Sequence, residues 1–74
     1  MDRERVGRRI KAFRKLKGYT QAELAQELNL PIITLGKLER GQTEPSEERL
    51  DQIARHLQIP RQELINSSNG EKED

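Results

Sequence analysis

The segment from Thr20 to Gly41, TQAELAQELNLPIITLGKLERG, has the apolar spacing of two short helices joined by a tight corner. Asn29 stands where the chain must reverse, and Asn accepts a positive φ angle better than a β-branched residue does. Gly41 follows the second helix, in a position where glycine commonly ends one. The residues that share an apolar face are Leu24, Ala25 and Leu28 before the corner, and Leu30, Leu35 and Leu38 after it. The pattern predicts two helices that cross closely at Ala25.

Residues on both sides of this segment extend the pattern. They are Arg14 and Lys17-Gly18 before it, Thr20-Gln21 and Leu38-Glu39-Arg40-Gly41 at its two ends, and Pro45, Leu50, Ile53, Ala54 and Leu57 to Leu64 after it. With them the chain resembles, over roughly residues 5 to 66, the Xre family of helix-turn-helix regulators, which includes the lambdoid phage repressor and Cro proteins. The resemblance implies a compact all-α, five-helix domain of the lambda-repressor type over residues 1–66. It also implies a bacterial or phage sequence-specific transcriptional regulator whose recognition helix, about residues 31–40, lies in the major groove of DNA.

Composition limits what such a chain can be. It has 74 residues, of which 31% are hydrophobic, so we expect one small domain with roughly 3–5 kcal/mol of net stability. It has no cysteine for a disulfide or thiolate metal site, and no apolar run long enough for a membrane helix. We therefore expect a cytoplasmic protein with no membrane attachment, metal or cofactor. The stretch 67–74 has no apolar residue and is expected to form a disordered polar tail.

Helix start and stop signals predict five helices, at about residues 3–17, 20–28, 31–40, 46–57 and 61–65. Thr20 followed by Glu23 predicts a capping box at the start of the second helix, and Ser46 is a suitable N-cap for the fourth. The residues expected on the buried side of the first helix are Val6, Ile10, Phe13 and Leu16.

Charge is distributed unevenly along the chain. Residues 1–17 carry eight Lys/Arg and two acidic residues, whereas residues 18–74 carry six Lys/Arg and eleven acidic residues. Such an imbalance suits a first helix that faces DNA phosphates. The alternative is a solvated helix whose basic side chains form ion pairs.

The family places its base-reading residues near the start of the recognition helix, here Ile32, Ile33, Thr34, Gly36 and Lys37. Isoleucine cannot hydrogen-bond to a base edge, although it can contact a thymine methyl group. Three explanations for Ile32 and Ile33 therefore stay open. The pair contacts thymine methyls, packs partly as core onto the second helix or the loop 41–45, or docks a protein partner.

The resemblance also implies phosphate contacts. Gln21 occupies the position at the start of the second helix where relatives clamp a phosphate, although an ordinary exposed residue there is the alternative. Lys37, Arg40 and Gln42 are further candidates on and after the third helix. Glu44 stands where relatives often carry Lys or Arg. Without a cation there, the slope of log K on log salt should be shallower by about 0.9 for each phosphate that is not neutralised.

In phage-repressor relatives, the residues that correspond to Arg14 and Glu39 form a buried ion pair between the first and third helices. A bidentate geometry would require Arg rather than Lys. His56 falls outside the apolar face of the fourth helix and is expected at the surface. Without a supported nucleophile–base pair or a glycine-rich phosphate loop, no enzymatic activity is expected.

Three further partners stay open alongside double-stranded DNA. Ile59, Leu64 and Ile65 lie where relatives often form a homodimer, although core packing beneath the first helix is the alternative. The Ile32–Ile33 patch also allows a protein–protein interaction module built on the same fold. A third possibility is an antitoxin, which would bind both DNA and a toxin.

Overall fold

The computed structural model describes residues 2–65, and this part of the chain contains five helices and no strand. The helices are α1 (Arg3–Leu16), α2 (Gln21–Glu27), α3 (Ile32–Glu39), α4 (Glu47–Leu57) and α5 (Gln62–Ile65). The predicted all-α, five-helix architecture is confirmed. The predicted polar tail, residues 67–74, lies outside the described residues. No helix within residues 2–65 combines the length and the apolar character needed to cross a membrane.

Side chains cap the starts of three helices. The Asp2 carboxylate accepts the Glu4 amide at 3.1 Å at the start of α1, and Ser46 accepts the Arg49 amide at 3.1 Å at the start of α4. The predicted capping box of α2 is present: Glu23 N–H donates to the Thr20 hydroxyl at 3.0 Å, and Thr20 N–H donates to the Glu23 carboxylate at 2.9 Å. These bonds satisfy amides that would otherwise lack partners.

The start of α3 differs slightly from the prediction. Pro31 is its N-cap rather than its first helical residue, and no side chain caps this end. Leu30, expected on the apolar side of α3, therefore lies in the turn before the helix, where it is half-buried against the core.

The first four helices end in the same type of turn. A residue with positive φ follows or closes each helix, at Gly18, Asn29, Gly41 and Gln58. The next amide donates back across the turn in each case, for example Leu30 N–H to the Ala25 carbonyl at 2.8 Å. This is the Schellman arrangement, and it reverses the chain within two residues. Asn29 and Gly41 were expected here, whereas Gln58 has no sequence signal for a left-handed conformation.

α1 lies at the centre of the packing, because it contacts α3, α4 and α5, while α2 packs on α3. The fully buried apolar residues are Val6, Ile10, Leu24, Ala25, Leu28, Leu35, Leu38, Leu50, Ile53, Ala54, Leu57 and Leu64. The prediction that Leu16 faces the core is wrong, since it is 73% exposed. The buried face of α1 runs through Val6, Ile10 and Arg14 instead. Arg14 takes the core-facing position near the end of α1 that the apolar pattern had assigned to Leu16.

Gly7 allows α1 to lie directly against the end of α3. A Cβ atom at Gly7 would stand 2.3 Å from the Leu38 carbonyl oxygen and 2.6 Å from that of Glu39. At Gly41, a Cβ would stand 2.6 Å from the Cα of Glu4. Backbone atoms of the two helices are therefore in contact here, with no room for side chains between them.

Replacing Gly7 with Ala should destabilise the domain by about 1–3 kcal/mol, because the new methyl group meets backbone atoms that cannot move aside. The matched control is Gly36→Ala, also within a helix, where the new methyl would face the flexible end of Arg40. This control should be neutral or stabilising by up to about 1 kcal/mol, from helix propensity alone. Urea unfolding followed by circular dichroism measures both, and equal midpoints for the two variants would contradict the close contact.

Candidate nucleic-acid interface

α2, the corner and α3 form one braced unit. Leu24 and Ala25 of α2 and Leu35 and Leu38 of α3 are buried in the common core. The corner is also held from α4, because the Gln52 side-chain amide donates to the Leu28 carbonyl at 3.0 Å. This bond and the left-handed turn at the corner fix the direction in which α3 leaves α2.

One face of α3 is open to solvent. Its positions follow the helical spacing i, i+1, i+4, i+5 and i+8. Ile32, Ile33, Lys37 and Arg40 are exposed there, whereas Gly36, on the same face, is buried. Ile32 is 46% exposed and Ile33 is 67% exposed, whereas Thr34 is half-buried. The explanation in which the two isoleucines pack as core is therefore wrong. Contact with thymine methyls and contact with a protein remain, since apolar side chains left open to water often mark a binding surface.

Behind this face, the predicted ion pair between Arg14 and Glu39 is present. Arg14 Nε donates to Glu39 Oε2 at 2.6 Å, and Nη2 donates to Oε1 at 3.1 Å. The two side chains are only 7% and 2% exposed. Arg14 Nη1 also donates to the Tyr19 carbonyl at 2.9 Å, just before α2 begins. The pair therefore ties α1, the start of α2 and the end of α3 together.

Gln21, the predicted phosphate-binding residue, belongs to the same cluster. Its side-chain amide donates to Glu39 Oε1 at 3.0 Å, and the residue is half-buried. It is therefore not an ordinary exposed residue at a helix start. The amide nitrogen carries a second hydrogen that this bond does not use. Sequence spacing gives no sign of the contact, because the two residues lie on different helices.

Lys37, Arg40 and Gln42 are exposed, as a DNA-binding role requires. Arg40 and Gln42 lie side by side, with Arg40 Nη2 donating to Gln42 Oε1 at 3.4 Å. Thr43 and Glu44 are exposed in the loop that follows. The structure therefore brings the candidates on α3 and its following loop to one surface, while Gln21 is held at the start of α2 by the ion-pair cluster.

Part of the positive charge of α1 is used within the fold. Arg14 forms the buried ion pair with Glu39. Arg9 donates a hydrogen bond to the Glu63 carbonyl and lies 3.8 Å from the Glu63 carboxylate. The exposed basic residues of this segment are Arg3, Arg8, Lys11, Lys15 and Lys17. Ion pairing within the fold accounts for part of the charge run, while a role of the exposed basic residues toward DNA phosphates stays a prediction. The link from Arg9 to α5 was not foreseen from the sequence.

The carboxylates near the start of α4 also have structural partners. Arg61, which precedes α5, forms an ion pair with Glu47 and a 3.2 Å contact with Asp51. Glu47 and Asp51 are one helical turn apart, so a single guanidinium reaches both. The sequence indicated that a helix starts here, but it did not indicate that Arg61 would form ion pairs with these carboxylates.

His56 lies at the surface as expected, outside the core, with its side chain 33% exposed. Its Nδ1 lies 3.1 Å from the Gln52 carbonyl oxygen, and its Nε2 lies 3.9 Å from the Glu27 carboxylate. Since a carbonyl only accepts, Nδ1 carries the proton in this contact. Among residues 2–65, no group of His, Cys, Asp or Glu side chains is arranged to hold a metal ion.

A family model described as helix-turn-helix matches residues 10–64, from the middle of α1 into α5. The chain belongs to the helix-turn-helix family. The matching regulators are of the Cro/C1 type, so the resemblance to Xre regulators is confirmed. The observed two-helix unit and the braced α3 are the structural form of that motif.

Several named proteins are similar to this helix-turn-helix chain. It is 47% identical to the uncharacterized HTH-type transcriptional regulator YazB of Bacillus subtilis, over 86% of this chain and 93% of YazB. It is 35% identical to the HTH-type transcriptional regulator SinR of Bacillus licheniformis, over 86% of this chain but 59% of SinR. It is 36% identical to the immunity repressor protein of Bacillus phage phi105, over 93% of this chain and 48% of the repressor. The chain thus spans about half the length of the last two.

Solved helix-turn-helix structures superimpose closely on this chain. The clp gene regulator ClgR from Corynebacterium glutamicum gives a TM-score of 0.85 at 31% identity, covering 96% of this chain and 92% of ClgR. The restriction-modification controller protein C.AhdI from Aeromonas hydrophila gives 0.81 at 33% identity, covering 86% of this chain and 97% of C.AhdI. Both likenesses extend over nearly the whole described fold.

Arg14→Ala should destabilise the domain by about 3–5 kcal/mol, because it leaves the Glu39 carboxylate buried without its charge partner. Arg8→Ala is the matched control, since Arg8 is an exposed arginine of the same helix, and it should change stability by no more than about 0.5 kcal/mol. Thermal unfolding of the two variants beside the parent provides the comparison. An Arg14→Ala protein that melts with the parent would show that the pair does not support the fold.

Proposed function

We propose that the chain is a sequence-specific DNA-binding transcriptional regulator that inserts α3 into the major groove. The observation that carries this proposal is the open face of α3, which presents side chains outward from a helix held by α1 and α2 on its other side. An α-helix of this kind fits the width of the major groove. Relatives named as transcriptional regulators and as an immunity repressor support the same role.

The leading edge of α3 meets the base pairs in this proposal. Ile32 and Ile33, being exposed and apolar, contact the methyl groups of thymines, which project into the major groove. Lys37 lies one turn beyond Ile33 and reaches a base edge or the rim of the groove. Thr34, which is half-buried, contributes its hydroxyl at the edge of the same contact. The resulting specificity favours sites rich in thymine.

The phosphate contacts lie at the two ends of the motif. Gln21 offers its second amide hydrogen to a phosphate oxygen, and the free amides at the start of α2 add to that contact. Gln42 holds a second phosphate from the loop after α3. Both contacts are uncharged, so the affinity depends less on salt than it would with Lys or Arg at those positions.

A homodimer completes the proposal. Leu64 is fully buried and fills the core, whereas Ile59 and Ile65 are half-buried and keep part of their apolar surface accessible. Two-fold contact through that surface would place two recognition helices about 34–36 Å apart, which matches one turn of DNA and implies a pseudo-palindromic site. The residues proposed for the dimer contact are different from those proposed to contact DNA.

Titration with duplex DNA of random sequence, followed by amide chemical shifts at low and moderate salt, tests the DNA-binding role. We expect shifts at Gln21, Lys37 and Arg40 that weaken as salt increases, because a surface carrying Lys and Arg displaces counterions when it binds DNA. If these signals stay unchanged while an added protein partner shifts Ile32 and Ile33, the chain is an interaction module or an antitoxin instead. Selection of bound sequences from a random DNA pool then identifies the preferred site.

Lys37→Ala should weaken binding to the selected site, because it removes a positive charge from the open face of α3. Arg55→Ala is the control, since Arg55 is exposed on α4 and its removal changes the net charge equally. Fluorescence anisotropy at several salt concentrations measures both variants. Equal decreases in affinity for the two would mean that net charge, rather than the face of α3, determines binding.

Sedimentation at micromolar concentration tests the dimer. We expect a mass close to twice that of the chain, and cooperative binding to DNA that carries two half-sites one turn apart. DNA with a single half-site serves as the control. A monomer that binds both DNAs with equal affinity would exclude the dimer while leaving the DNA-binding proposal intact.

A further inference from the structure

Gly36 is buried although it lies in the middle of the open face of α3. The side chain nearest to it on the open face is that of Arg40. A Cβ atom at Gly36 would have as its three nearest neighbours Nη1, Cζ and Nη2 of Arg40, at 3.1, 3.7 and 3.7 Å. The guanidinium of Arg40 therefore lies across the helix at Gly36, and not beyond the end of α3 where its backbone is.

The missing side chain of Gly36 makes this position accessible. Ile32, Gly36 and Arg40 follow one another at four-residue intervals along the same row of the helix, and helical side chains lean toward the N-terminus. Any larger residue at position 36 would occupy the space that the guanidinium now fills. Without one, Arg40 extends back by one turn, which is about 5.4 Å.

The shift changes what Arg40 meets when α3 lies in the groove. At the end of the helix an arginine would stand at the rim, beside the phosphates. Folded over Gly36, the guanidinium lies one turn from Ile32, on the part of the helix that faces the base edges. Gln42 accepts a hydrogen bond from Nη2 at 3.4 Å and so steadies the group, while the remaining N–H groups of the guanidinium are available for a ligand.

We propose that Arg40 is a specificity-determining residue that reads a guanine next to the thymine contacted by Ile32. A planar guanidinium donates two parallel hydrogen bonds to the O6 and N7 acceptors of guanine in the major groove. One helical turn along α3 spans about one to two base steps of roughly 3.4 Å each. Gly36 acts through Arg40, as a positioning residue. This inference rests on the proposed DNA-binding function and adds the identity of one base.

The test begins with the DNA site selected by the parent protein. Affinity is measured for that site, for the site with the guanine replaced by adenine, and for the site with 7-deazaguanine, which lacks the N7 acceptor. The affinity of the parent should fall about ten- to a hundredfold with adenine. It should fall by a smaller factor with 7-deazaguanine, which keeps the O6 acceptor. Arg40→Ala should bind all three DNAs with similar affinity while still preferring the thymine positions.

Gly36→Leu provides the second variant, because it keeps the charge of Arg40 and fills the space beneath its guanidinium. Its preference for guanine should fall toward that of Arg40→Ala. In the double variant that combines Gly36→Leu with Arg40→Ala, the leucine should cause no further change in the guanine preference, because the Arg40 guanidinium is already absent. Circular dichroism checks that each variant is folded, which we expect because Arg40 is exposed and the atoms nearest to a side chain at position 36 are those of the flexible Arg40 side chain.

A phosphate-binding Arg40 gives a different outcome, and it would overturn the inference. Arg40→Ala would then weaken binding to every sequence equally and reduce the salt slope by about 0.9, while Gly36→Leu would leave the guanine preference unchanged. A selected site with no guanine beside the thymine would also overturn it. A parent protein that binds no duplex at low salt would instead refute the DNA-binding function itself, together with this inference.

Discussion

The buried pair of Arg14 and Glu39 sets the position of the recognition helix. A carboxylate that is 2% exposed is costly to bury without a partner, so α3 is confined to the arrangement in which Glu39 meets the guanidinium from α1. The two-point geometry also fixes the rotation of α3 about its axis. Since Arg14 bonds to the Tyr19 carbonyl and Glu39 to the Gln21 amide, the same charges locate the start of α2.

A second constraint acts at the same end of α3 and needs no charge. At Gly7 and Gly41, α1 and the turn after α3 approach until backbone atoms touch. The side of α3 that faces α1 is thus enclosed at its C-terminal end, whereas its leading edge has no neighbour to cover Ile33. The uneven packing explains how a helix of eight residues is held firmly while exposing a complete face. The residues proposed to bind DNA and the residues that pack against the rest of the domain lie on opposite sides of α3.

Much of the fold follows from local signals, because helix caps and apolar periodicity are properties of neighbouring residues. The capping box at Thr20 and the left-handed turn at Asn29 were predicted correctly from such signals, whereas the partner of Arg14 was predicted correctly from the resemblance to phage repressors. Leu16 was misplaced because Arg14 occupies the core-facing row of α1, and hydropathy alone does not indicate that an arginine is buried. The bond from Gln21 to Glu39 and the position of Arg40 over Gly36 join residues in ways that depend on assembled geometry. Side-chain conformations of this kind leave no periodic pattern.

The network around Arg14 also determines how the molecule unfolds. Removing α1 would leave the Glu39 carboxylate without its charge partner and uncover the end of α3 that lies against Gly7, so we expect the two-helix motif to depend on α1. Excised as a peptide, it would lack the bonds from Arg14 and Gln52 that help to fix the angle between its helices. Partial opening that frees α3 requires breaking its interactions with α1 as well. The surface offered to a partner therefore depends on contacts made on the opposite side of α3.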